Sequence, residues 1–426
     1  MLSSDLLDKA ISFDFHDKLK SFREQFVIDD PDLIYLDGNS LGRLPGKTKQ
    51  KTMQVVEQEW GKDLISSWNK SWYQKSLELG NKIAVLIGAQ EGEVIVSDNT
   101  STNLYKLAFG ALKARASRNT IVTDEFNFPS DVYILQGLAR ELQRKYDIQM
   151  VKSIDGISIN DKDIKTKIND ETALVTLSHV AFKSSFMYDM DKVTRIAHDH
   201  GALILWDLSH AVGAVPVHVN KCNIDLAIGC TYKYLNGGPG APAFLYVRKD
   251  LQEKLTSPIQ GWFGAKDPFD FSLDYEPAAG IHRFLTGTPP VLSLSGIELG
   301  LNVAINAGME NIRAKSIQLS TFFIDLFDKE LSGLGFKLAS PRNINNRGSH
   351  ISIQHPEAFR IIKAMMDQSI HGKSIVPDFR APDYIRFGFA PLYNTFEEIY
   401  RLVEKLKIIV SKKLYANYDD KKDVVT

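Results

Sequence analysis

A lysine, an aspartate, an aromatic ring and a hydroxyl-rich helix start are spaced along this sequence in a way that could handle an amine and a carbanion. Lys233 stands in Thr231-Tyr232-Lys233-Tyr234-Leu235-Asn236-Gly237-Gly238-Pro239-Gly240, after an apolar run and before a glycine-rich turn. Enclosure away from water favours the neutral, nucleophilic form of an amine. Asp207 ends the apolar run Ala202-Leu203-Ile204-Leu205-Trp206, where a buried carboxylate needs a cationic partner. Asp98-Asn99-Thr100-Ser101 opens a helical pattern, and hydroxyls beside the free N–H groups of a helix start suit a phosphate. Phe128-Pro129-Ser130-Asp131 sets an aromatic ahead of another helix start. Taken singly, each has a plain structural use as an N-cap, a hydrophobic staple, a cap of the next helix or a surface lysine. Taken together, with Lys233 26 positions after Asp207, they describe a site for pyridoxal 5'-phosphate. The lysine forms the imine, the carboxylate keeps the ring nitrogen protonated, the aromatic stacks, and the helix start binds the phosphate.

One kind of fold brings such groups together. Between about residues 93 and 249, short β-rich runs alternate with amphipathic helical ones. Strands are expected at 93–97, 120–123, 173–178, 202–207, 224–229 and 243–247. The intervening helices show apolar residues at i, i+3 and i+4, as in Leu104, Leu107, Ala108, Ala111 and Leu112. Pro129 suits a first helical turn, and Gly201 suits the left-handed cap of a helix over about 192–200. The pattern predicts an α/β fold: a large domain with a mostly parallel sheet over 61–304 and a smaller α+β domain over 305–426, which an N-terminal segment over 1–60 joins. In a parallel sheet the ligand lies beyond the carboxyl ends of the strands, where the candidate groups fall.

Composition narrows the function classes. Lys+Arg 51 against Asp+Glu 52 leaves a net charge of -1, which gives no electrostatic reason to expect a nucleic acid or an anionic membrane as partner. No apolar run approaches the ~18–20 residues of a membrane span. Met1-Leu2-Ser3-Ser4-Asp5 lacks a basic stretch followed by an apolar one, so a cytoplasmic protein is expected. The two cysteines, Cys222 and Cys230, make neither a disulfide framework nor a zinc site, and no metal is expected. The glycine run after Lys233 is not a Walker loop, and no G-x-S-x-G or H-E-x-x-H occurs.

Across most of its length the sequence resembles the kynureninase family of fold-type I pyridoxal phosphate enzymes. The resemblance runs from Tyr35-Leu36-Asp37-Gly38-Asn39-Ser40-Leu41-Gly42 to Ile385-Arg386-Phe387 and Pro391-Leu392-Tyr393-Asn394, with the motifs in family order. It implies that Lys233 carries the cofactor and Asp207 pairs with its ring nitrogen. Phe128 would stack on the ring, with Pro129, Ser130 and Asp131 beside it. Thr100, Ser101, Tyr232 and Trp262 would hold the phosphate, Trp262 and Thr288 reaching in from the other subunit of a homodimer. Ser178 and His210 match cofactor-contacting positions, and Arg386 matches the arginine that receives the substrate carboxylate bidentately. Tyr232 resembles the family's general acid/base. Trp68, Gly287 and Thr288 resemble the set found in members that favour kynurenine over its 3-hydroxy derivative, another branch carrying Asn where this chain has Thr288. The implied reaction is hydrolysis of the Cβ–Cγ bond of L-kynurenine to anthranilate and L-alanine.

Two rivals share the fold. A cysteine desulfurase needs a nucleophilic Cys on a loop after the lysine, whereas both cysteines here precede Lys233. An aminotransferase of the class V type would use the same lysine and aspartate. A cofactor-fold binding protein without turnover is a third reading, and in it Lys233, Asp207 and Arg386 would be dispensable.

Overall fold

The computed structural model of the chain describes residue 2, residues 4–142 and residues 146–421. Strand β1 (Leu33–Tyr35) precedes seven strands that form one sheet: β2 (Val94–Val96), β3 (Thr120–Asp124), β4 (Asp147–Val151), β5 (Thr172–Ser178), β6 (Leu203–Asp207), β7 (Leu226–Gly229) and β8 (Phe244–Val247). Their order is β2-β8-β7-β6-β5-β3-β4. Strands β3 to β7 run parallel to their neighbours, and β8 lies antiparallel between β2 and β7. The α/β architecture read from the alternating pattern is the one formed.

The consecutive apolar residues of β5, β6 and β7 are buried throughout, as strands covered on both faces must be. Successive side chains point to opposite faces. Leu203 and Leu205 therefore join the core under the helix Thr100–Ala114, while Ile204 and Trp206 join the one under Lys75–Ile87 and Val291–Ala307. Edge strand β4 went unread in the sequence. Asp147 and Gln149 alternate with apolar residues, and only Val151 is buried, which is how an edge strand avoids pairing with another chain. The helix Met190–Asp199 ends just before Gly201, whose φ of +69° supplies the expected left-handed turn.

The second sheet is antiparallel and contains β9 (Lys337–Leu338), β10 (His350–Gln354), β12 (Asp378–Arg380) and β13 (Tyr384–Gly388), in the order β12-β13-β10-β9. Strand β11 (Ser374–Val376) lies between β10 and β12 in the chain but pairs in parallel with β1. Leu2, Ala10, Ile34 and Leu36 consequently share a core with Phe323, Ile351, Ile385, Phe387 and Val403. The final helix, Phe396–Ser411, opens on a capping box in which Thr395 and Glu398 each satisfy the other's backbone N–H. Among the described residues, no single helix is long and apolar enough to cross a membrane.

Two packing contacts place the Lys233 turn. The amide of Gly42 donates to the Tyr232 carbonyl at 2.8 Å, and a Cβ on Gly42 would overlap the Lys233 carbonyl oxygen. On the other side the helix Val291–Ala307 comes so near that a Cβ on Gly300 would overlap the Leu235 carbonyl oxygen. Gly300→Ala therefore forces the helix off the turn at a cost of about 1–3 kcal/mol. A thermal scan at fixed rate should show a Tm lower by a few degrees, and an unchanged Tm would mean the helix can slide.

Candidate active site

The ends of β5, β6 and β7 and the helix starts beside them enclose a cavity of about 330 Å³. Register decides the first neighbours. Ser178, last in β5, pairs with Asp207, last in β6, and both line the cavity. Asp207 commits Oδ1 to the Ser209 amide at 2.8 Å and the Ser209 hydroxyl at 2.6 Å, which leaves Oδ2 to meet a partner in the cavity. Lys233 Nζ lies 3.0 Å from His210 Nε2. Burial, then the charges of Lys233, His350 and Arg386, push the His210 pKa well down, so the ring is neutral and Nε2 accepts. The ring proton then sits on Nδ1, which is buried and without a partner. Burial, reinforced by Asp207 and opposed by Lys233, raises the Asp131 pKa well above the usual carboxylate range.

The wall carrying Phe128 is set by a buried carboxylate. Asp124, at the end of β3, accepts from the amides of Phe126 at 2.9 Å and Asn127 at 2.7 Å, and from the Tyr188 hydroxyl. Burial lifts the pKa of Asp124 to about 6 against these bonds. The turn so fixed delivers Phe128 to the cavity edge, its ring edge-on to Phe182 at 5.3 Å. Pro129 takes the first position of the following helix, and Ser130 Oγ lies 2.8 Å from Ser101 Oγ across the cavity.

At the opposite helix start Asn99 is the N-cap, its side chain accepting from the Thr102 amide at 2.9 Å, and Thr100 and Ser101 face the cavity. Asp98, held at φ +50°, turns its carboxylate the other way. There it meets the fully buried Lys106 at 2.7 Å and the Thr286 hydroxyl at 2.9 Å, while Lys106 also donates to the Phe284 carbonyl at 2.7 Å. Burial works against the Asp98 charge, yet Lys106 holds its pKa below the usual range.

The far wall is cationic. Arg386, opposite Asp378 in the β12–β13 register, is 1% exposed. It donates from Nε to Asp378 at 2.5 Å, from Nη2 to Asp378 and to Ser40 at 3.2 Å, and from Nη1 to the Phe182 carbonyl at 2.5 Å. Four of the five N–H groups of a guanidinium are thus engaged, and one remains free on Nη1. The bidentate grip expected from the sequence requires Ser40 or Phe182 to release the arginine.

Thr100, Ser101, Phe128, Ser130, Asp131, Ser178, Asp207, His210, Tyr232, Lys233 and Arg386 all line this one cavity. Pro129, Trp68, Trp262, Gly287 and Thr288 do not line it within one chain. Trp68 packs on Trp72 and Phe263 at 5.5 Å each, and Trp262 is 40% exposed against Phe263 at 4.4 Å. Gly287 and Thr288 are exposed, with nothing within 4 Å of a Cβ built on Gly287. The lining also contains Asn39, Ser40, Phe182, Ser209 and Arg380, which the sequence did not single out as site residues. Asn39 and Ser40 had a signal in the turn-rich Asp37–Gly42 segment, whereas Arg380 had none. Tyr232 differs from expectation in one respect. The Cys230 thiol, then burial, pushes the phenol pKa up, so in this geometry it keeps its proton.

Comparison with known proteins accords with this site. The kynureninase C-terminal domain profile matches residues 312–406, and the DegT/DnrJ/EryC1/StrS aminotransferase family profile matches residues 52–224. A kynureninase from Pseudomonas fluorescens is 42% identical over 412 residues, 96% of each chain. The chain belongs to the kynureninase family. A second kynureninase, from Burkholderia pseudomallei, is 40% identical over 413 residues, again 96% of each chain. Among solved structures, the apo cysteine desulfurase of Thermococcus onnurineus matches with a TM-score of 0.77 at 21% identity, covering 92% of this chain and 98% of that one. A C-DES variant with glycine covalently linked to its PLP cofactor matches with a TM-score of 0.75 at 17% identity, covering 90% and 98%. At those identities the likeness shows the fold alone, that of the fold-type I pyridoxal phosphate enzymes. In this member of the kynureninase family the thiol three residues before the lysine is enclosed: Cys230 is 2% exposed, and burial pushes its pKa up.

The cavity-facing helix start of this kynureninase-family chain depends on the Asp98–Lys106 pair. Lys106→Met leaves Asp98 without its cation, and because Asp98 is partly exposed the loss is about 2–3 kcal/mol rather than the full buried-pair cost. Asp98→Asn combined with Lys106→Met should regain part of it, so a double-mutant cycle in urea should show positive coupling. Additive losses would mean that the pair contributes nothing as a pair.

Proposed function

We propose that the chain hydrolyses the Cβ–Cγ bond of L-kynurenine, adding the elements of water to give anthranilate and L-alanine, with pyridoxal phosphate as its cofactor. The observation that carries the reading is one cavity lined by Lys233, Asp207, Tyr232 and Arg386 in a chain 42% identical to a kynureninase. The residues present fit the cofactor. Asp207 has an oxygen to spare for a ring nitrogen, His210 has an orphaned buried Nδ1, and Thr100 and Ser101 open a helix whose free N–H groups suit a phosphate. When bound, pyridoxal phosphate supplies an electron sink for carbanions formed at Cα and Cβ.

The protein's own groups then divide the work. Lys233 would hold the cofactor covalently, and its Nζ is the amine in the cavity placed to take the proton from Cα. Asp207 would stabilise a positive charge on the ring nitrogen, and Phe128 would stack on the ring. Arg386, steadied by Asp378, receives the substrate carboxylate and so fixes which Cα bond faces Lys233. Tyr232 keeps its phenolic proton in this geometry, which supports a role as general acid that delivers the proton to Cβ and completes L-alanine.

The working form is proposed to be a homodimer with shared sites. Trp262, Gly287 and Thr288 lie outside their own chain's cavity. Phe269, Phe271 and Leu273, in the loop after Trp262, are 59%, 76% and 102% exposed, an apolar surface that a second copy would cover. In that arrangement Trp262 and Thr288 complete the partner's phosphate and substrate ends, and Thr288, with Trp68 and Gly287, favours kynurenine over its 3-hydroxy derivative. The two free thiols, Cys222 and Cys230, suit a reducing compartment such as the cytoplasm.

The direct test mixes purified holoenzyme with L-kynurenine and follows anthranilate fluorescence and L-alanine, expected in equal amounts. Cofactor that turns over only when a keto acid is supplied, with no anthranilate, would instead mean an aminotransferase. Lys233→Ala should abolish turnover and the absorbance of covalently held cofactor. Tyr232→Phe should retain that absorbance and lower kcat by ~10²–10⁴-fold, and a wild-type kcat would remove Tyr232 from the proton path.

A further inference from the structure

Asp37 is a half-buried carboxyl behind the cationic wall of the cavity for which the reaction described above has no use. It begins the Asp37–Gly42 turn, its carbonyl accepting from the Ser40 amide at 2.9 Å and the Leu41 amide at 3.1 Å, and its backbone bridges to Gly388, two residues beyond Arg386. The same turn sets Ser40 Oγ 3.2 Å from Arg386 Nη2. Asp37 Oδ1 is buried and has no hydrogen-bond partner.

We propose that Asp37 is a positioning residue for the substrate carboxylate, acting through Arg386 and Arg380, and that its charge state sets how strongly this wall of the cavity holds an anion. The proposal rests on the reading of Arg386 as the carboxylate receiver. Every element packed around Asp37 contributes to the balance. Strand β12 brings Asp378 and Arg380, β13 brings Arg386, and its own turn brings Ser40. The phenols of Tyr35 from β1, Tyr234 from the Lys233 turn and Tyr393 from the segment before the last helix also face it, all kept neutral by burial. Beyond Arg386 stand Lys233 and the imidazoles of His210 and His350, both of which burial keeps uncharged.

With Asp37 neutral, two guanidinium groups face one carboxylate, Asp378, and the wall carries one net positive charge for the incoming anion. With Asp37 ionised that charge is cancelled. Burial, then the Asp378 charge, pushes the Asp37 pKa up to about 7, with Ser40, Arg386 and Arg380 opposing. Both forms are therefore populated near neutrality. Below that pH Asp37 holds its proton and the anion binds well; above it Asp37 competes for the same cations and binding weakens. By linkage, a bound carboxylate must in turn raise the proton affinity of Asp37.

The test compares KM and kcat for L-kynurenine from about pH 6 to about pH 8.5 in wild-type holoenzyme, Asp37→Asn, Asp37→Leu and Arg386→Lys. Wild-type KM should rise with pH by roughly three- to tenfold more than KM of either neutral Asp37 variant, while their kcat follows the wild-type pH profile. Equilibrium titration with L-alanine, read from cofactor absorbance, repeats the comparison without turnover. If both Asp37 variants keep the wild-type dependence of KM on pH, the proposal is overturned. Arg386→Lys separates this from its premise: a raised KM at every pH upholds the carboxylate reading, and an unchanged KM removes it, whatever the Asp37 variants do.

Discussion

A lysine amine sits at the end of four rotatable bonds, so it is no better placed than the backbone that carries it. The turn bearing Lys233 is therefore the part of this molecule on which the remainder depends. Within the turn, Gly237 donates to the Thr231 carbonyl at 2.9 Å, Asn236 donates to the Lys233 carbonyl at 2.9 Å, and the Thr231 hydroxyl reaches the Pro242 carbonyl at 2.6 Å. From outside, the N-terminal turn holds it through Gly42 and the helix Val291–Ala307 presses it at Gly300. Both approaches are possible only because those residues lack a Cβ. Rigid backbone on two sides is what turns a flexible side chain into a preorganised group.

Charge is arranged around that lysine with little surplus. Asp207 is tied to Ser209, Asp131 is pushed toward its neutral form by burial beside Asp207, and Asp378 is given over to Arg386. The two imidazoles nearest the cations, His210 and His350, are kept neutral because burial and neighbouring positive charge act in the same direction. An enclosed site can hold three cationic side chains and four carboxyl groups only if each charge is matched or withheld. Here some groups are paired and others are discharged by protonation.

One chain encloses the cofactor end and leaves the segments bearing Trp262 and Thr288 outside its own cavity. Those segments are nevertheless fastened to it. Phe263 donates to the Thr286 carbonyl at 3.1 Å, Thr286 holds Asp98, and Asp98 is joined through Lys106 to the helix whose start faces the cavity. The helix start that faces the cavity and the residues proposed for a neighbouring site are thus carried on one continuous set of polar contacts.

Local chemistry made much of this legible in the sequence. Alternating apolar runs and amphipathic helices specify the α/β class, because consecutive apolar residues are stable as a strand only when both faces are covered. The groups beyond the strand ends, Asp98–Ser101, Phe128–Asp131, Asp207 and Lys233, could be named because strand ends are where a parallel sheet receives ligands. Edge strand β4 escaped notice because an edge needs polar residues that blur the pattern. Contacts between distant segments could not be read at all. That Arg386 spends four of its donors on Asp378, Ser40 and Phe182, that Arg380 joins the cavity, and that Asp37 turns a buried Oδ1 toward the same wall follow from pairing β1 with β11 and β12 with β13. Sequence by itself determined which chemical groups exist and on which elements they ride. Tertiary structure decided which of them share a cavity, which hold their protons and which lie outside, because burial and charge proximity are properties of the packed chain and of no single segment of it.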